Sequence, residues 1–139
     1  DYPDAESEVD ILYDQVDQHP LHQISAVLTK DELSECQSHV GNIRVERSVA
    51  RYLVEIVRRT RQDPRLDLGS SPRGSLMLFR AARAEAMMNQ REFVIPDDIQ
   101  RMAPLVLSHR VILSGATTLR YHESREVIED LVGRVEVPV

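Results

Sequence analysis

The chain of 139 residues has one cysteine, one lysine, five glycines and no tryptophan. A single thiol, Cys36, excludes an internal disulfide framework and favours a reducing compartment, so a cytoplasmic location is expected. The one lysine, Lys30, follows Thr29 in a helix-capping pattern and is not placed to serve a phosphate loop. No GxxxxGK(S/T) loop is present, and GxGxxG, GxSxG and HExxH are missing as well. No apolar run approaches the roughly 18 residues that span a bilayer. The first ten residues are acidic, where a secretory leader would be basic and then apolar. The expectation is therefore a chain neither membrane-spanning nor secreted. With 42% hydrophobic and 29% charged residues and only seven prolines, extensive disorder is excluded, and a chain of this length can bury an ordinary core.

What is present is arginine, unevenly placed. The net charge is −6, which argues against nucleic acid only on average. Residues 1–35 hold ten acids and one base, a local −9, while residues 58–91 hold eight arginines and three acids (Asp63, Asp67 and Glu85), a local +5.

Helical periodicity dominates. A first helix is expected over residues 4–18, capped by Asp4, with Ala5, Val9, Leu12 and Val16 as its apolar stripe and Pro20 as its stop. Thr29 and Glu32 have capping-box spacing and open a helix with Leu33, Cys36 and Val40 on one face, closed at Gly41. Ile43 and Val45 read as extended. A helix over residues 46–62 carries Val49, Leu53, Ile56, Val57 and Thr60 inward, and Asp63 and Pro64 stop it. Leu66 and Leu68 then anchor a loop to Gly69. Ser71 as cap and Pro72 in the first turn start a helix to about Asn89, with Leu76, Phe79, Ala82 and Ala86 inward. Phe93, Val94 and Ile95 read as extended. Pro96, Asp97 and Asp98 open a helix burying Ile99, Met102 or Ala103, and Val106, with Pro104 predicting a kink or a stop near Ala103. Residues 111–113 suggest a short strand and 114–118 a turn. A last helix over residues 123–132 carries Val127, Ile128 and Leu131. The fold class is all-α, a bundle of about six helices with a few short extended segments.

Paired carboxylates such as Asp97 with Asp98 and Glu129 with Asp130 read as solvated charges at helix starts and on polar faces. His19 with His22 and Cys36 with His39 have zinc-like spacing, yet Cys36 falls on an apolar stripe, and the structural reading is preferred. The segment of residues 68–75 is more informative. Arg73 in the first turn of a helix opposes the macrodipole, at a cost of about 0.3–1 kcal/mol unless something anionic offsets it. First-turn amides beside a guanidinium form a phosphate receptor. Gly74 costs about 0.8–1 kcal/mol of helix propensity and leaves room for close approach. Against this stands a plain surface arginine.

The run Gly69, Ser71, Pro72, Arg73, Gly74 opening a long helix resembles the sensor 2 motif of MoxR-type AAA+ ATPases. Similar in order and spacing are His19-Pro20-Leu21, Ile43-Arg44-Val45, Thr60-Arg61-Gln62, the stretch from Phe93 to Ile99, and the stretch from Val106 to Arg110. Magnesium-chelatase AAA+ subunits share part of the pattern. Ile95 departs from it, standing where the family often has Thr or Ser as a cap. The resemblance covers nearly all of the chain and implies an AAA+ lid-type helical bundle over residues 1–139, with residues 1–3 as the exit from a nucleotide-binding α/β domain. It further implies that the lid covers ATP with Mg2+ held mainly by that core, that Arg73, with Ser71 and Pro72, meets the γ-phosphate, and that lid motion follows nucleotide state. The same resemblance implies a homo-oligomeric, chaperone-like ring and a von Willebrand factor A-domain partner, with no activity from the lid alone. Arg65, Arg80 and Arg83 are expected to extend the electropositive edge around Arg73 towards the triphosphate or a neighbouring acidic surface, with a plain exposed helix arginine as the preferred alternative for Arg80. A structural reading is preferred for His109 and Arg110, cations at a helix end. The competing reading is a free-standing helical interaction or DNA-binding domain using residues 58–91, disfavoured by the acidic start and the lack of helix-turn-helix spacing.

Overall fold

A computed structural model of the chain describes residues 2–14, 24–115 and 121–138. The chain divides into two compact units, Asp1–Glu35 and Cys36–Val139.

In the first unit, α1 (Ala5–Asp14) starts as its sequence requires: the Asp4 carboxylate accepts the Ser7 amide at 2.8 Å. That bond holds the Asp4 carboxyl below the ordinary carboxylate range. The expected buried stripe does not form. Val9 and Leu12 are 43% and 66% exposed, and α1 has no buried residue. The buried hydrophobic cluster runs from Ile43 to Val135. Val16 and Pro20, together with His19 and His22 of the zinc-like pair, lie outside the described residues. At α2 (Lys30–Val40) the capping box forms in both directions. Glu32 accepts the Thr29 amide at 2.7 Å, and Thr29 Oγ1 accepts the Glu32 amide at 3.2 Å.

The second unit is built on α3 (Arg47–Thr60), α4 (Pro72–Met88), α5 (Pro96–Leu107) and α6 (Tyr121–Gly133). Helix α5 packs against α4 and α6, and α3 closes the bundle against all three. On α3 the expected residues Val49, Leu53, Ile56, Val57 and Thr60 are all buried, joined by Tyr52, whose hydroxyl accepts Gln100 Nε2 at 3.0 Å. On α4 the buried face is Gly74, Leu78, Ala82 and Ala86, every fourth residue, whereas Leu76 is 48% exposed. On α5 it is Ile99, Ala103 and Leu107, with Met102 and Val106 half-buried. Pro104 does not stop α5, which runs through it to Leu107; Ser108 then bonds back to the Pro104 carbonyl through both its amide and its hydroxyl. Asp98 replaces the missing cap at Ile95 by accepting the Ile95 amide at 2.9 Å, while Arg91 grips the same carboxylate through two nitrogens at 2.7 and 2.5 Å. Helix α6 buries Ile128, Leu131 and Val132.

The extended segments pair with each other. Arg44 and Phe93 form a parallel bridge, which carries Val94 into the core. The expected loop at Leu66 and Leu68 is instead a strand, β1 (Leu66–Leu68), antiparallel to β2 (Ile112–Leu113). The register shifts between Leu66 and Leu68, leaving Asp67 as the extra residue, and its carboxylate accepts the Ser114 hydroxyl at 2.7 Å. Among the described residues the architecture is therefore six α-helices, a short 3-10 helix at Ser108–Arg110 and one two-stranded ribbon.

Candidate functional site

The site is the amino end of α4, and the carboxyl end of α3 builds it. The last turn of α3 leaves carbonyls without intrahelical partners. Gly69 packs directly on that end: a Cβ there would stand 2.5 Å from the Thr60 carbonyl oxygen and 2.6 Å from Arg61 Cα and N. The next residue, Ser70, is fully buried. Its amide donates to Thr60 Oγ1 at 2.9 Å, and its carbonyl accepts Arg61 Nε at 2.7 Å. The Thr60 hydroxyl in turn donates to the Val57 carbonyl at 2.6 Å. Ser71 then takes extended geometry at the cap, and Pro72 occupies the first helical turn.

Arg73 follows, exposed to solvent. Among the described residues its guanidinium makes no hydrogen bond, ion pair or ring contact. Ser71 holds the cap position, yet its hydroxyl makes no capping bond, and the first turn of α4 contains no acid. In α1, α2 and α5 the corresponding turns are acidic, and a carboxylate satisfies an amide at each start. The start of α4 thus presents the Arg73 guanidinium with no acid in its own turn. Pro72 has no amide proton and the Gly74 amide donates to the Ser71 carbonyl at 2.8 Å, so the guanidinium, with the Arg73 amide, is the donor set that a phosphate would complete.

The other arginines of the basic middle sort into committed and uncommitted groups. Arg65 is committed: Nε and Nη2 clasp the Asp63 carboxylate at 2.8 and 2.7 Å, and Nη2 also lies 2.7 Å from Asp130 on α6. This clasp pulls the Asp63 carboxyl down to about 2 and raises the Arg65 guanidinium above its ordinary value. Asp130 is lowered by the same guanidinium. Arg83 donates to the Ile43 carbonyl at 2.9 Å and to the Gly41 carbonyl, and lies over the Phe79 ring at 5.6 Å. Arg59 pairs with Glu55, and Arg91 with Asp98. Arg80, seven residues beyond Arg73 on α4, is exposed. Arg65 and Arg80 therefore part ways: Arg80 shares the solvent-facing side of α4 with Arg73, whereas Arg65 is held in a triad with two carboxylates. Arg110 bonds the Val106 carbonyl at 3.0 Å at the end of α5, which is the structural use expected of it, and His109 is exposed.

Gly74 is not open to a ligand. It is buried, and a Cβ on it would overlap Ser70 Oγ and approach Leu107 Cδ2 to 3.4 Å. The room it leaves is filled from within. Sequence reasoning also missed the part played by Thr60 and Arg61. The available signal was a polar residue on an otherwise apolar stripe, followed nine residues later by a glycine.

A family model of the AAA lid domain matches residues 58–131. The chain is 39% identical over 138 residues to protein YeaC of Bacillus subtilis, a match covering 99% of this chain and 43% of that protein. It is 33% identical over 122 residues to the chaperone MoxR1 of Mycobacterium tuberculosis, covering 81% of this chain and 32% of the relative. A candidate ATPase from Cytophaga hutchinsonii, known from a crystal structure, superposes with a TM-score of 0.81 at 25% identity, over 100% of this chain and 45% of its own. The chain thus spans less than half the length of these relatives. Because the lid match runs from the last turn of α3 into α6, it takes in the whole segment that presents Arg73, and the chain belongs to the AAA lid domain family, as a lid of the MoxR type.

Proposed function

We propose that this lid covers ATP bound by an AAA+ core of the same polypeptide and senses its γ-phosphate through Arg73. The observation that carries the reading is an exposed, unpartnered guanidinium in the first turn of an uncapped helix, inside the segment that matches the AAA lid. A charge-assisted hydrogen bond from Arg73 to the terminal phosphate, at the turn that Ser71 and Pro72 set, contributes about 1.5–3 kcal/mol to the nucleotide-bound arrangement. Loss of that phosphate removes the contact, and the lid then rotates against the core, a two-state element biased by one interaction. Mg2+ and the groups that activate water are supplied by the core.

Arg80 extends the positive face of α4 beyond Arg73, and Arg65 acts indirectly, by pinning the β1 segment to α6. The ring assembly, the chaperone-like remodelling role, the cytoplasmic location and a von Willebrand factor A-domain partner belong to the same proposal. Support for the chaperone role comes from the name of the mycobacterial relative. The DNA-binding alternative loses ground because Arg59, Arg61, Arg65, Arg83 and Arg91 are all engaged within the domain.

The test is Arg73→Ala in the full-length ATPase. Steady-state ATP turnover is expected to fall about 10- to 100-fold, the equivalent of one charge-assisted bond, with an unchanged melting curve. Turnover within about twofold of the parent would remove Arg73 from this role.

A further inference from the structure

We propose that Thr60 and Arg61 are positioning residues for Arg73, fixing the turn ahead of α4 so that the Arg73 side chain starts from a set place relative to the carboxyl end of α3. The proposal rests on the nucleotide-facing reading of Arg73. Since the Arg73 guanidinium makes no hydrogen bond, ion pair or ring contact among the described residues, the place from which its side chain starts is set by the backbone before it. That backbone is held at both polar groups of a single residue, Ser70: its amide by Thr60 Oγ1 at 2.9 Å and its carbonyl by Arg61 Nε at 2.7 Å. Two bonds on opposite sides of one residue fix both its displacement and the rotation of its peptide planes.

The Thr60 hydroxyl has one proton, and it goes to the Val57 carbonyl at 2.6 Å. Towards Ser70 the oxygen is therefore an acceptor, with its direction set by α3. Gly69 completes the grip, because a Cβ at that point would stand 2.5 Å from the Thr60 carbonyl oxygen and force the turn away from α3. Between Ser70 and Arg73 stand only Ser71, at φ −74° and ψ 169°, and Pro72, whose ring fixes its own φ. Few soft backbone torsions separate the gripped residue from the Arg73 Cα, so a displacement of the α3 terminus reaches the root of that side chain nearly undiminished. Misplacement of a phosphate-binding group by about 1 Å can cost 10²-fold in rate, and that sensitivity gives two residues far from any phosphate an effect on turnover.

The experiment is a double-mutant series in the full-length ATPase, with kcat and KM for ATP as readouts. Thr60→Val keeps the shape and removes the acceptor; it is expected to lower kcat about 10-fold with KM within about twofold. Thr60→Ser restores the hydroxyl and is expected to recover kcat. Arg61→Ala is expected to lower kcat about three- to tenfold. Neither substitution should slow the Arg73→Ala enzyme further, because both act through Arg73. If Arg73→Ala turns over normally, the nucleotide-facing reading fails and the positioning role falls with it. If Arg73→Ala is slow but Thr60→Val and Arg61→Ala run at full rate, or if their defects multiply with that of Arg73→Ala, the positioning role alone is overturned. Should Thr60→Val fail to fold, Arg61→Ala, at an exposed residue, decides by the same criteria.

Discussion

Arg73 and Gly74 are adjacent on α4, yet they answer to different constraints. The roughly 100° between consecutive helical residues turns one outward and the other into the bundle. A glycine inside a helix costs about 0.8–1 kcal/mol relative to alanine, so on propensity alone Gly74→Ala should stabilise the chain. The packing says otherwise, because the added methyl would overlap Ser70 Oγ in a fully buried site and lie 3.3 Å from Ser70 Cβ. We expect Gly74→Ala to lower stability by about 1–3 kcal/mol, the usual range for overpacking, measured by urea unfolding. Ser70 Oγ is buried without a hydrogen-bond partner, so Ser70→Ala should be neutral or mildly stabilising. Combining Ser70→Ala with Gly74→Ala removes the clashing atom and should return most of the loss. A Gly74→Ala chain as stable as the parent would show that the helix start can shift to accommodate a methyl, and the fixed geometry assigned to it would be lost.

Among the elements, those with a strong period and a clear cap were legible in the sequence, and those defined by partners were not. The inward face of α3 could be read because five apolar or near-apolar residues repeat at helical spacing over fourteen residues. On α4 the expected Ala82 and Ala86 are buried and Phe79 packs against the core, but Leu76 is 48% exposed and Leu78 is buried in its stead. Gly74, Ala82 and Ala86 on the buried face are small and carry little hydrophobic signal, so the sequence alone does not choose between Leu76 and Leu78 as their companion. Strand β1 has three residues, too few to show a period, and its partner β2 lies more than forty positions away. Arg73 was legible as a cation at a helix start; its lack of a protein partner was not, since that depends on which arginines find carboxylates. The Arg65 clasp is a case in point, and it is open to test by pH. Asp63 has its carboxyl pulled from 3.8 to about 2 by Arg65. A depressed folded-state value means that its contribution is complete above the ordinary carboxylate range and is lost as pH falls from about 4 towards 2. Asp63→Asn should therefore be less stable than the parent at pH 7 but flatter between pH 4 and pH 2. Urea midpoints at pH 7, 4 and 2.5 check this, and parallel slopes for the two proteins would contradict it.

At the scale of the whole molecule, packing and charge divide along the chain in the same way. The buried hydrophobic cluster runs from Ile43 to Val135, within the unit Cys36–Val139. Helix α1 buries no residue. Residues 36–139 hold sixteen arginines and thirteen acids, a net +3, so the acidic sign of the whole protein comes from residues 1–35. A chain lacking residues 1–35 should accordingly keep the folded core while reversing the sign of its charge. We expect it to melt cooperatively, with a midpoint within about 4 °C of the parent at physiological salt, less than the ~4–8 °C that 1 kcal/mol produces in a domain of about 100 residues. Salt dependence separates the two contributions, because screening acts on exposed charge and leaves buried apolar contacts almost untouched. If removal of residues 1–35 lowers the midpoint through electrostatics alone, the gap should close as salt is raised to about 1 M. A gap of more than about 8 °C that persists at that salt would mean that residues 1–35 supply packing to the fold, and that the core does not stand on residues 36–139 alone.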